Sequence, residues 1–201
     1  MAQANGDRRQ AILARAAELF ATRGVAATTV RQIADEVGIL SGSLYHHFES
    51  KEAIVDEIIS SYLEDLRQRY NAVLKRQTGP RATLHDLVVT SLEVVEDHPH
   101  ATEIYQNDVS YLLQFERFSY IRQASREVQN TWLQVIKAGM AEGVFRSDLD
   151  PRVIYRLMRD ALWLSVRWFK PSRDYPLSRL AEECTSLFVD GLTARSPLVA
   201  A

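Results

Sequence analysis

Apolar residues recur at helical spacing almost from the start of the chain. Ile12, Leu13, Ala16, Ala17, Leu19 and Phe20 fall on one face, and Gly24 interrupts them. That pattern predicts a first amphipathic helix over 7–24. Val30, Ile33, Ala34 and Val37 repeat the spacing, with Thr28 or Thr29 placed to cap a second helix and Gly38 placed to end it. Ser41 opens a third, very short helix that runs to about Phe48. Longer helices then follow near 51–77, 80–97, 100–113, 117–142, 151–169 and 176–194. Ser50 caps the first of these, and its early Glu52 and Glu57 suit the positive end of a helix dipole. Breaks come at Gly79-Pro80, His98-Pro99, the region of Gln114, Gly143 to Asp150, and Pro171 to Pro176. Asp150-Pro151 joins a capping side chain to a first-turn proline, which marks a helix start. No stretch alternates at a period of two for long enough to be a strand. The pattern predicts an all-α fold of about nine helices. Three short ones form an N-terminal domain over 1–50, and six longer ones form a larger body over 51–201.

Composition narrows this picture without redrawing it. The 201 residues are 46% hydrophobic and 25% charged, which suits a globular chain with a sizeable core rather than a disordered one. A single cysteine, Cys184, excludes an internal disulfide framework and leaves no metal-ligand spacing. Asp7-Arg8-Arg9 arrives before any apolar run, and no apolar run approaches the length of a membrane span. A cytoplasmic protein without a membrane partner is therefore expected. Net charge is -2. Residues 1–51 carry six basic groups (Arg8, Arg9, Arg15, Arg23, Arg31, Lys51) against five acidic ones (Asp7, Glu18, Asp35, Glu36, Glu49). Any contact with nucleic acid must come from local geometry, because there is no basic tract.

The stretch "TTVRQIADEVGILSGSLYHHFESKEAIVDEI", Thr28 to Ile58, has that geometry. A helix–turn–helix needs two tightly joined helices and a second helix whose exposed side chains reach base edges. Ile33, Ala34 and Val37 supply an apolar face, Gly38 the turn, and Ile39 and Leu44 anchors for the second helix. Ser41, Gly42, Ser43, Tyr45 and His46 are left to face outward. Hydroxyl and imidazole groups suit phosphate and base-edge contacts, and Gly42 would let the backbone come close to a duplex. Lys51 adds a phosphate-seeking cation beside the N-terminal amides of the next helix. A solvated turn between core helices accounts for one Ser or His, but poorly for the whole ordered constellation.

The same stretch, with "RRQAILARAAELFATRGVAATTV" before it, resembles the DNA-binding signature of the TetR family of one-component regulators. The resemblance implies a homodimer of nine-helix subunits, with an N-terminal DNA-binding domain and a body that binds a small ligand and the partner subunit. Position by position it implies contacts with double-stranded operator DNA at Thr29, Arg31, Ser41, Gly42, Ser43, Tyr45, His46, His47 and Lys51. Gly42 departs from the proline or alanine often found there.

In the body, "DPRVIYRLMRDALWLSVRWFKP" places Arg156, Arg159 or Asp160, Trp163 and Arg167 at spacings that share one helix face. Leu157, Ala161, Leu164 and Trp168 form the opposite stripe, suited to core or dimer packing. Such an arginine row needs anions. They come from a phosphate- or carboxylate-bearing ligand lying against the indole, or from Asp108, Glu103 or Asp160, with Trp163 filling core. Spacing alone slightly favours the second arrangement. The segment "FSYIRQASREVQNTWLQVIKAGMAEGVFRSDLDPRVIYRLMRDALWLSVRWFKP" is similar, however, to a TetR subgroup, the KstR-type repressors of steroid catabolism, in the branch controlling degradation of the later rings. That similarity spans nearly the whole chain and implies a CoA thioester of a partly degraded steroid as inducer. It makes Arg159 and Trp163 the first-choice ligand residues, with Arg156 and Arg167 beside them and Tyr105, Asp108, Tyr111 and Leu112 as weaker candidates. A TetR-type regulator sensing another acyl-CoA or a lipophilic drug remains the alternative.

No nucleophile–base set, phosphate-cradling glycine loop or acid–base carboxylate pair is present, so an enzyme is not expected. His98-Pro99-His100 has metal-like spacing but reads as an interhelical turn, with Asp97 able to cap the next helix. Cys184, among Leu180, Leu187 and Phe188, reads as a small buried hydrophobe. No cofactor or metal is expected.

Overall fold

A computed structural model describes residues 2–193, with side chains from residue 7 onward. Among the described residues the chain is helical, with one isolated backbone bridge between Phe145 and Thr193. The helices are α1 (Ala2–Arg23), α2 (Val30–Val37), α3 (Ser41–Leu44), α4 (Lys51–Lys75), α5 (Pro80–Asp97), α6 (Pro99–Leu112), α7 (Tyr120–Ala141), α8 (Pro151–Trp163) and α9 (Leu177–Thr185). A 3-10 turn, Glu116–Phe118, precedes α7. The helix expected over 151–169 tightens to 3-10 winding at Leu164–Arg167, and the last helix widens to a π-helical turn at Ser186–Asp190. Position 194 of the helix expected over 176–194, and 195–201 of the expected body domain, lie outside the described residues.

Two compact units result, and neither is bounded at residue 50. One joins the chain up to Glu64 with His98–Ile121, and the other joins Asp65–Asp97 with the chain from Arg122 on. Helix α4 gives its first half to one unit and its second half to the other.

In the first unit, local signals set the helix ends. Gly24 takes a positive φ of 83° and donates its N–H to the Phe20 carbonyl at 2.9 Å, ending α1. Thr29 is the N-cap of α2. Its hydroxyl accepts the Gln32 N–H while Gln32 Oε1 accepts the Thr29 N–H at 2.8 Å, a reciprocal capping box. Thr28 takes no part in that cap, because its hydroxyl donates back to the Gly24 carbonyl at 2.8 Å. Gly38, at φ 73°, closes α2. Helix α1 packs on α2 and α6, and α2 on α3, over a core that includes Ile12, Phe20, Ile33, Leu44 and Ile54.

The second unit is organised around Trp132. Its indole N–H donates to Tyr70 Oη at 3.1 Å, Tyr70 Oη lies 2.6 Å from Ser91 Oγ, and Ser91 Oγ donates to the Leu87 carbonyl. Every polar atom in that buried chain has a partner, which is the condition for placing hydroxyls and an indole in a core. The rings of Tyr70, Tyr155 and Trp163 stand 6.3, 6.3 and 6.5 Å from Trp132. Helix α5 packs against α8 and α9. Phe145 folds back onto Gly139, where an added Cβ would fall 2.1 Å from the phenyl ring. The N-cap residue of α6 is His98 rather than Asp97, and Asp97 accepts from Arg69 at 2.7 Å.

Candidate functional site

Helix α3 is shorter than the expected Ser41–Phe48 element. It makes one regular turn, Ser41–Leu44, and then continues as turns in which the His47 and Phe48 N–H groups both donate to the Leu44 carbonyl, at 2.9 and 3.0 Å. Leu44 and Phe48 are buried and pin the segment from below, while Ile39 is half-buried. Outward stand Gly42, Tyr45 (54% exposed) and His46, with Ser41, Ser43 and His47 half-buried beside them. Nothing lies within 4 Å of where a Cβ on Gly42 would sit. Thr29 is exposed, though its hydroxyl serves the capping box. Arg31 is exposed and only loosely paired with Asp35, at 3.9 Å. The predicted DNA-reading run therefore forms one solvent-facing surface on a buried footing. One neighbour went unnoticed in the sequence: Leu40, just before the run, is 80% exposed.

Two arginines hold this surface from either side. Arg9 of α1 donates to the His47 carbonyl at 2.7 Å, lies 4.0 Å over the Phe48 ring, and pairs with Glu57 of α4. Arg117, in the 3-10 turn before α7, pairs with Glu49 and approaches Asp56 at 3.6 Å. Tyr120 donates its phenol to Asp56 at 3.0 Å. Burial first, and the Asp56 charge second, push that phenol well above its ordinary value. Arg9, Phe48, Glu49, Asp56, Glu57 and Arg117 line an open cleft of about 450 Å³ in the first unit. Part-exposed ion pairs of this kind add little stability. They fix where residues 47–49 stand.

A second set of contacts fixes the corner between α1 and α2. Val25 is buried, and both of its backbone polar groups are bonded to side chains. Its N–H donates to Asp108 of α6 at 3.2 Å, and its carbonyl accepts from Lys51 of α4 at 2.8 Å. Lys51, expected to face phosphate, is thus half-buried on that carbonyl. Asp108, expected as a ligand candidate, is a clasp for the corner. Burial raises its pKa above the ordinary carboxylate value, and the Val25 N–H opposes that shift.

The other expected ligand residues do not form one face. Trp163 is 4% exposed and packs on Trp132, whereas Arg156, Arg159 and Arg167 are exposed. Arg159 bonds its neighbour Asp160 at 2.8 Å and stands 5.9 Å over the Tyr155 ring. Asp160 thus supplies the anion for Arg159, and Trp163 fills core. Spacing fixes where a Cα sits around the helix, but a long indole can still reach inward. The opposite stripe is likewise not core. Leu157 (65%) and Trp168 (63%) are exposed, as is Ala161, and Leu164 is half-buried. The buried stripe is Ile154, Tyr155, Met158 and Leu162. Tyr105, Tyr111 and Leu112 belong to the first unit. Tyr105 packs on Tyr62, Tyr111 on Phe115, and Leu112 is core. Cys184 is half-buried, and that burial pushes its thiol up. Among the described residues no helix is long and apolar enough to cross a membrane.

Comparison with known proteins agrees with this geometry. Residues 12–58 match the family of bacterial regulatory proteins described as the tetR family, and residues 77–192 match a tetracyclin repressor-like C-terminal domain. The chain is 44% identical to the HTH-type transcriptional repressor KstR2 of Rhodococcus jostii, over 93% of this chain and 92% of that protein. It is 41% identical to KstR2 of Mycobacterium tuberculosis, over 92% and 93%. The solved structure of that ketosteroid transcriptional regulator superposes with a TM-score of 0.89 at 40% identity, over 94% of this chain and 96% of the other. With a solvent-facing Ser41–His47 run standing on buried Leu44 and Phe48 and both halves of the family pattern matched in order, the chain belongs to the TetR family of bacterial transcriptional regulators.

Proposed function

We propose that this regulator is a homodimeric repressor of steroid-catabolism genes, released from its operator by a CoA thioester of a steroid degradation intermediate. The observation that carries the reading is similarity to KstR2 repressors at 41–44% identity over more than nine-tenths of both chains. Operator binding is assigned to Thr29, Arg31, Ser41, Gly42, Ser43, Tyr45, His46, His47 and Lys51. In a dimer, two such surfaces would enter successive major grooves about 34–36 Å apart. The dimer face is assigned to α8 and α9 with the turns that follow them, where Val153, Leu157, Trp168 and Leu187 are 53 to 74% exposed. Val153 and Leu157 stand one turn apart on α8, and large apolar residues left in water there need a covering surface. Arg156 and Arg159 supply exposed guanidinium groups for the phosphates of a CoA thioester, Arg159 by exchanging Asp160 for the ligand.

Release needs only a ligand that prefers one of two spacings of the paired surfaces by a few kcal/mol. The test is a mobility-shift titration of DNA from upstream of the chain's gene, with a panel of CoA thioesters. A shift abolished by steroid-derived thioesters alone supports the whole reading. Arg159→Met should then blunt that release without weakening DNA binding. A shift that only other acyl-CoAs or neutral lipophilic compounds disturb keeps the regulator and replaces the ligand. Sedimentation of a monomer at micromolar concentration would remove the dimer.

A further inference from the structure

Leu40 is the N-cap residue of α3, a position that suits leucine poorly. Ser, Thr, Asp and Asn are favoured there because their side chains bond the first free amides. Thr29 and Ser50 do so for α2 and α4, with Ser50 Oγ accepting the Ala53 N–H at 3.1 Å. Leu40 makes no such bond. Nor does it pack. It precedes buried Leu44 by four residues, so a continuous helix would carry it onto the same inner face. The extended backbone at Leu40 (φ -69°, ψ 143°) breaks that register and turns the side chain into solvent, where it is 80% exposed. Ser41, Gly42 and Ser43 follow it directly. In the free protein this side chain gives neither a capping hydrogen bond nor core burial, on the one surface assigned to reading DNA.

We infer that Leu40 determines operator specificity by packing against the 5-methyl group of a thymine at the edge of the sequence read by Ser41 to His46. The inference rests on the operator-binding reading above. The thymine methyl is the apolar group that a base pair presents in the major groove, so it is the base-edge feature a leucine can discriminate. Covering it gives Leu40 in the complex the apolar contact that it lacks in the free chain.

The test starts from duplexes selected by the full chain out of a random pool. Each thymine of the selected site is then replaced singly by deoxyuridine, which removes the methyl and keeps the hydrogen-bonding edge. For the unaltered chain, one replacement per half-site should weaken binding about fourfold, the factor for burying one hydrocarbon carbon. Leu40→Ala should bind the intact site more weakly and become indifferent to that one replacement, while keeping its response to the others. Leu40→Ser, which restores a capping hydroxyl, should melt no lower than the unaltered chain and lose the same discrimination. A scan that affects the unaltered chain and Leu40→Ala alike at every thymine overturns the inference and leaves the DNA reading standing. Undiminished DNA affinity with an altered oligomeric state in Leu40→Ala also overturns it, in favour of a contact between copies. Failure to enrich any duplex at low salt overturns the DNA reading, and Leu40 with it.

Discussion

The two compact units are held together by different means. The first is fixed at its corners: a capping box at Thr29, a two-sided clasp on Val25, and arginines on either side of residues 47–49. The second is fixed at its centre, where Trp132, Tyr70 and Ser91 share a buried hydrogen-bond chain among stacked rings. Corner contacts set the direction of a surface without filling much volume, which suits a unit that must present side chains to a partner. A packed aromatic centre sets volume and tolerates little change. The difference predicts opposite sensitivities. The second unit should respond to size, and the first to single hydrogen bonds and charges.

Trp132→Ala should have the largest effect, about 3–5 kcal/mol of stability, read as a lower midpoint in urea unfolding. It also leaves the Tyr70 hydroxyl one partner short. A loss under 1 kcal/mol would mean that the ring cluster is not the centre of its unit. Gly139→Ala adds a single carbon, yet drives it into Phe145, which is itself buried. Overpacking of that kind costs about 1–3 kcal/mol, and pairing it with Phe145→Leu should restore part of the loss.

Thr29→Ala removes the α2 cap and should cost about 1 kcal/mol. Because the cap orients the helix that leads into the recognition turn, DNA affinity should fall too, whereas Gly139→Ala should leave affinity unchanged at temperatures where it stays folded. The smallest effect is a slope. The folded chain holds the Asp108 proton more tightly than the unfolded one, since burial raises its pKa above 3.8. Stability should therefore fall as pH rises from 3.8 through the raised value, and stay level above it. Asp108→Asn keeps an acceptor for the Val25 N–H and should flatten that fall, which denaturant midpoints across the acid range would reveal.

The same contrast explains what the sequence disclosed. The cap at Thr28 or Thr29, the Gly24 and Gly38 helix ends, and the Leu44 anchor are legible because each is decided by residues within a turn or two. The clamps were not: Arg9 meets His47 across 38 positions and Arg117 meets Glu49 across 68, and no periodicity encodes such a meeting. The sequence points Lys51 at a phosphate and Asp108 at a ligand or an arginine, whereas both bond the backbone of Val25, which carries no side-chain signal. In α8 the wheel placed Trp163 with the arginines, and only the neighbouring Trp132 shows why it turned inward. The boundary expected at residue 50 follows the motif's end, whereas α4 runs on through both units.

The Val25 clasp also gives this protein a built-in reporter. The Val25 amide lies between helices and owes its hydrogen bond to a carboxylate on α6 rather than to a helical repeat. Its exchange with solvent deuterium is therefore governed by how often Asp108 lets go, and not by fraying of α1 or α2. One proton, followed in a mass or magnetic-resonance spectrum, would clock the opening of that corner while every helix stays wound.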